Sequence, residues 1–154
     1  MTHHSTASHT LRIDLPIDQC QRLFTPAGEE LWVDGWRPAY LHPKDGRTEP
    51  GMVFTTGTGP DFSIWTLADF DTRAHYARYV RVTPASRAGF VEVRCASVDS
   101  ASTRVEVTYS LTALNDEGER LLDGFIGEAF VRMIEGWKKS IDARLAMLRD
   151  ASIR

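Results

Sequence analysis

The chain has 154 residues, 42% hydrophobic and 25% charged, the balance of one ordinary globular domain. The net charge of −3, with arginines scattered rather than clustered, argues against a face for nucleic acid. Cys20 and Cys95 are too few for a disulfide framework, and no apolar run approaches the roughly 18 residues of a membrane span.

Residues 1–8, with His3, His4, Ser5, Thr6 and Ser8, read as a flexible polar tail. They hold no apolar stretch, so no signal peptide is expected and a cytoplasmic location is. One domain is expected over residues 9–150. From His9 the chain alternates: Leu11, Ile13 and Leu15 face one way, Thr10, Arg12 and Asp14 the other, as in a half-buried strand ended by Pro16. Asp18 is placed to cap a short helix carrying Cys20, Leu23 and Phe24. Thr25-Pro26 then reads as an N-cap followed by a proline in the first helical turn. The second short helix carries Leu31 and Trp32 and stops near Gly35. A short strand follows over 36–42.

Asp45-Gly46 and Pro50-Gly51 punctuate a loop. Strands are expected at 52–56, 62–70, 75–83, 90–98 and 104–114, separated by short turns that make neighbours antiparallel. Cys95 sits among strand valines and reads as an inert core thiol. In the last strand Val105, Val107, Tyr109, Leu111 and Ala113 take one face, and Arg104, Glu106, Thr108, Ser110 and Thr112 the other. A sheet with one apolar face needs a single covering layer. That layer is expected from the last segment, capped by Asn115 and acidic in its first turn. Run unbroken to Arg149, this helix would be about 50 Å long. Its apolar residues, from Leu122, Phe125, Ile126 and Ala129 through Met133 and Trp137 to Leu145, span an arc of about 200°, which a strongly curved sheet would have to grip.

Strand, two short helices, six strands and a long terminal helix is the helix-grip order. With the local matches Leu23-Phe24-Thr25-Pro26, Gly28-Glu29, Leu31-Trp32-Val33, Gly35-Trp36, Leu41-His42-Pro43, Gly51-Met52-Val53-Phe54-Thr55, Ile64-Trp65, Tyr79-Val80-Arg81-Val82-Thr83-Pro84 and Val107-Thr108-Tyr109-Ser110-Leu111-Thr112, the chain resembles an uncharacterised bacterial branch of the START/polyketide cyclase superfamily (SRPBCC), the birch-pollen-allergen-like proteins. The resemblance covers about residues 9–148. It implies an α+β helix-grip fold: a curved seven-stranded antiparallel sheet around a long C-terminal helix, with two short helices after the first strand. It does not assign a reaction, because the superfamily holds carriers, sensors, cyclases and dehydratases.

The space between sheet and helix is the expected site. One register puts Trp65, Tyr79, Arg81, Val93 and Tyr109 on the concave side; a slip of one residue points Val80 and Val82 inward instead. With Phe54, Leu67, Phe125, Ala129 and Met133 these make the candidate ligand-binding set. Ala129 and Gly136 either let the helix approach the sheet or leave ligand room. Arg81 is either an exposed strand arginine or an inward one, paired with Asp69, Glu128 or a ligand carboxylate. Tyr79 and Tyr109 are either core residues or ligand contacts, and Trp32 and Trp36 either pack the short helices or form a lid. His42 is either a loop residue or an acid–base group. Glu128 and Arg132 are spaced for a surface ion pair. Gly57-Thr58-Gly59 is a hairpin turn rather than a phosphate loop, and nothing has zinc-ligand spacing. No metal and no cofactor are expected.

The leading reading is a module that binds or carries a small hydrophobic ligand, lipid-like or aromatic. A cyclase, dehydratase or isomerase working in the same cavity is the alternative, and catalytic residues stay unassigned. A protein-interaction module is a third reading, which the absence of a tryptophan-rich opening disfavours. The sequence is compatible with a homodimer.

Overall fold

The computed structural model describes residues 2–153. Seven strands form one antiparallel sheet: β1 (His4–Ile13), β2 (Ala39–His42), β3 (Val53–Thr56), β4 (Ser63–Asp71), β5 (Tyr76–Thr83), β6 (Arg87–Asp99) and β7 (Ser102–Ala113). Their order is β1-β7-β6-β5-β4-β3-β2, so only the link from β1 to β2 crosses the sheet. That link carries α1 (Ile17–Leu23) and α2 (Pro26–Glu29). After β7 come α3 (Asp116–Leu122), α4 (Gly127–Asp142) and α5 (Leu145–Asp150). The seven-stranded α+β helix-grip architecture expected from the sequence is present.

Alternation selects the concave face. Leu11 and Ile13 of β1, Trp65 and Leu67 of β4, Ala77 and Tyr79 of β5, Val91, Val93 and Cys95 of β6, and Val105, Val107, Tyr109 and Leu111 of β7 are all buried. The pairings Tyr79↔Val91, Arg81↔Gly89 and Val91↔Tyr109 are those of the first register. Between β4 and β5 the pairing sits two residues from the expected one, Trp65↔Arg81 and Leu67↔Tyr79, because the connecting loop is longer and the register shifts between Leu67 and Asp69. A two-residue offset preserves the face. Beyond the irregularity the faces exchange, so Phe70 packs on the core and Asp69 turns out to solvent.

The N-terminal segment differs from its expected form. From His4 it is strand, paired with β7 along its whole length from His4↔Thr112 to Ile13↔Thr103. Its Ser/Thr side chains hid it, yet they match polar partners across the ladder: Ser8 Oγ lies 2.7 Å from Thr108 Oγ1, and His4 Nδ1 2.9 Å from Thr112 Oγ1. Met1 lies outside the described residues. Thr25 caps α2, accepting from the Gly28 N–H at 3.1 Å, and Asn115 caps α3, accepting from Gly118 N–H at 2.9 Å. Asp18 does not cap α1, whose N-cap is Pro16; its carboxylate instead lies 3.0 Å from His75 Nε2.

The C-terminal segment is not one long helix. A 3-10 turn at Asp123–Phe125 ends α3, Ile126 is extended, and Gly127 has φ +55°, a conformation that favours glycine. The expected 200° arc is therefore divided between helices of different direction. Helix α4, 16 residues long, buries Phe130, Ile134 and Ile141 and packs mainly along β1. Its attachments there include Lys138 Nζ, which donates to the Arg12 carbonyl at 2.8 Å, and Glu135, 2.7 Å from His9 Nε2. Gly136 is exposed with open space beside it, so it serves neither close approach nor ligand room.

Candidate functional site

Because α4 lies along β1, the far half of the concave face is covered by other residues. The segment leaving α2 returns over β3, β4 and β5, and a cavity of about 110 Å³ remains beneath it. Phe54, Trp65, Tyr79, Arg81, Val91, Val93 and Tyr109 form its floor from five successive strands. Phe24, Glu29, Val33, Trp36 and Trp137 close it from the helical side.

The wall is mostly aromatic. Phe54 and Trp65 stack with ring centroids 5.6 Å apart and planes 8° from parallel. Trp36 meets both edge-on, at 6.1 and 5.9 Å, and Tyr79 meets Trp65 edge-on at 6.1 Å. The rings are fixed by their polar ends: Trp65 Nε1 donates to Thr56 Oγ1 at 2.9 Å, and Trp36 Nε1 to the Pro26 carbonyl at 2.9 Å. Trp32 is a packing residue, 2% exposed, with its indole N–H on the Leu23 carbonyl at 2.8 Å and its ring edge-on to Phe24 and Trp137.

Four polar groups reach this wall with different commitments. The Tyr79 hydroxyl is already spent on the Phe24 carbonyl, at 2.9 Å. The Tyr109 hydroxyl has no hydrogen-bond partner among the described residues, and burial pushes it up to about 12. Arg81 faces inward; its Nε donates to Ser63 Oγ at 3.3 Å and its guanidinium lies 4.7 Å from the Trp65 ring. Neither Asp69 nor Glu128 pairs with it: Asp69 points outward past the register shift, and Glu128 sits at the surface 3.7 Å from Arg132, in the expected i,i+4 pair. Burial lowers the Arg81 pKa, partly offset by Tyr109, Asp61 and Glu29. Glu29, whose carboxyl has no hydrogen-bond partner among the described residues, is pushed up to about 8 by burial, against the opposing pull of Arg81. At neutral pH it is mainly a neutral acid.

Of the candidate set, Phe54, Trp65, Tyr79, Arg81, Val93 and Tyr109 surround this space. Leu67, Phe125, Ala129 and Met133 do not. Leu67 is fully buried in the core. Phe125, Ala129 and Met133 lie outside the cavity's lining, and Trp137, one turn beyond Met133, is the residue of α4 at the wall. Phe125 instead stacks on Tyr109, centroids 5.9 Å apart. His42 lies on the edge strand β2, its side chain 73% exposed and 4.0 Å from Glu49, remote from the chemistry. Among the described residues, no three His, Cys, Asp or Glu side chains are grouped to hold a metal.

Phe24, Glu29, Val33, Val91 and Trp137 line the cavity from outside the candidate set, and Trp36, expected either as packing or as a lid, lines it as well. Glu29 and Val33 are four residues apart, and Val33 N–H bonds the Glu29 carbonyl at 2.9 Å, which brings both to one side of a turn; Gly35, with φ +74°, then redirects the chain into Trp36. A carboxylate inside an apolar stripe was the available signal.

No protein-family model matches the chain, and no curated protein does. Solved structures do. The Zhui aromatase/cyclase from Streptomyces sp. R1128 superposes with TM-score 0.65 at 15% identity, over 93% of this chain and 96% of that one. A truncated norcoclaurine synthase from Thalictrum flavum gives 0.66 at 10% identity, over 97% and 96%. Major latex-like protein 151 from Panax ginseng gives 0.66 at 11% identity, over 92% and 97%. At these identities the likeness establishes a shared fold alone, the helix-grip fold. Among the described residues no helix is long and apolar enough to cross a membrane.

Proposed function

We propose that the chain binds a small, mostly apolar ligand, of the size of one aromatic ring, in the cavity between sheet and helices. The observation that carries this reading is the ring-lined space itself, with the indoles of Trp65 and Trp36 held by hydrogen bonds at their N–H groups and Phe54 stacked on Trp65. At about 110 Å³ the cavity is somewhat smaller than the roughly 150 Å³ apolar cavity that takes benzene, so a single ring or short branched chain is the upper limit and enters with a small shift of the walls, while a sterol or fatty acid is too large. Burying about 150 Å² of such a ligand contributes roughly 4 kcal/mol, which by itself is millimolar affinity. Tighter binding has to come from the polar groups at the wall.

The test is a titration of the purified protein with benzyl alcohol, indole and palmitate, followed by amide NMR and tryptophan fluorescence. Saturable changes with the two ring compounds, lost when Val91→Phe fills the space, support the reading. Flat titrations for both ring compounds, or binding that ignores Val91→Phe, remove it.

A second reading is favoured by the convergence of Glu29, Arg81 and Tyr109 on one cavity. A carboxylic acid near pH 8 is matched to proton transfer at neutral pH. An inward arginine and a free phenol would stabilise an enolate oxygen. This is the chemistry of a cyclase, dehydratase or isomerase. Deuterium exchange at the α-carbon of acetophenone, accelerated by the protein and abolished by Glu29→Gln and Tyr109→Phe, is the expected signature; exchange at the solvent rate rules it out for simple aryl ketones.

A further inference from the structure

At the end of the concave face bordered by the β5–β6 turn, two arginines stand together. Arg81 of β5 pairs across the ladder with Gly89 of β6, and Arg87 lies two residues before Gly89 on the same face. The two are therefore diagonal neighbours, a separation that long side chains span. Nothing stands between them on β6. A Cβ at Gly89 would lie 1.9 Å from the Ser110 carbonyl oxygen, so this position holds no side chain.

Both guanidiniums are desolvated and incompletely matched. Arg87 is 6% exposed; its Nη1 donates to Ser86 Oγ at 3.0 Å, and its Nε is buried without a partner. Arg81 spends its Nε on Ser63, whose own hydroxyl is 2.7 Å from Thr83 Oγ1. Each cation lies against a ring, Arg81 against Trp65 and Arg87 against Phe125 at 4.9 Å. Among the described residues no carboxylate comes within ion-pair distance of either. Asp61, whose charge reaches both, is exposed. Glu29 reaches Arg81 alone and is mainly protonated at neutral pH. Two adjacent buried cations without a counter-charge are costly, and planar guanidiniums are shaped for carboxylate oxygens.

We propose that Arg81 and Arg87 form an anion subsite at the end of the aromatic cavity, and that the ligand class is a small aromatic carboxylate. This rests on the cavity being the ligand site. The ring of the ligand lies among Phe54, Trp65 and Trp36, and its carboxylate reaches Arg81 at the wall and Arg87 one row beyond it. Phe125, stacked on Tyr109 and lying over Arg87, is the residue that must shift to admit the second contact.

The experiment titrates the full chain at pH 7 with benzoate and, as the neutral probe of equal size, benzyl alcohol. Benzoate is expected to bind at least about tenfold more tightly and to shift the Arg87 Nε–H resonance. Its affinity should fall as sodium chloride is raised, while that of benzyl alcohol stays constant. Arg87→Met should cut the preference for benzoate severalfold, to what Arg81 alone supplies, and leave benzyl alcohol unchanged. If that variant does not fold, the salt series and the Nε–H shift on the unmodified chain decide the matter alone. Equal affinities with no Arg87 shift overturn the anion subsite and leave the cavity reading standing. Silence with both probes overturns the two together.

Discussion

Replacing Glu29 by Gln should make the protein more stable, by an amount that grows with pH. The carboxyl titrates at 4.5 when solvated and at about 8 in the fold, because burial disfavours its charge. A raised carboxyl pKa means the folded state holds the proton where the unfolded state has lost it. Stability is therefore intact below pH 4.5 and declines as pH rises toward 8. Each pH unit in that window is worth about 1.4 kcal/mol, so the loss is at most about 3 kcal/mol at pH 7 and about 5 above pH 8. Water entering the cavity to solvate the carboxylate lowers these figures. Glutamine keeps the shape and cannot ionise. Urea unfolding of both proteins at pH 4, 7 and 8.5 should show near-equal stability at the first and a widening gap at the others. At pH 7 the gap corresponds to a melting temperature up to roughly 5–10 °C higher for the variant. A gap that stays constant from pH 4 to 8.5, or a variant less stable at pH 8.5, would refute the placement of Glu29 in a desolvated wall.

Two further perturbations probe the frame. Gly89→Ala places a methyl group 1.9 Å from the Ser110 carbonyl oxygen, so β6 and β7 must separate; a loss of about 3 kcal/mol or more in chemical unfolding is expected. The thiols of Cys20 and Cys95 are both buried, and contact with Cys95 followed by burial holds Cys20 far above its usual range; neither should react with a thiol reagent in the native protein, and both should react at once in guanidinium.

Period-two alternation is local, so the inward side of each strand was legible wherever pairing kept its parity. Trp65, Tyr79, Arg81, Val93 and Tyr109 come to one cavity for that reason, even though β4 and β5 pair two residues from the expected register. Two of the three expected caps were legible for the same reason, since Thr25 and Asn115 bond within three residues of themselves, whereas Asp18 bonds His75 instead of α1. The strand at His4 was not, because its polar residues carry no hydrophobic contrast and are selected by pairing with β7, about a hundred residues away.

The break at Ile126 and Gly127 escaped notice because an apolar stripe records which residues avoid water, not whether the backbone between them stays helical. Its consequence is tertiary. Once α4 lies along β1, a segment from the other end of the chain must cover β3 to β5, and Glu29, Val33 and Trp36 arrive at the site with it. Residue pattern alone determined the antiparallel sheet, its greasy face and the rings upon it. Whether that face would be filled or left hollow, and that a neutralised carboxyl and a guanidinium without an ionic partner would border the hollow, only tertiary packing decided, because vacancy and desolvation belong to the arrangement of distant segments and to no single stretch of chain.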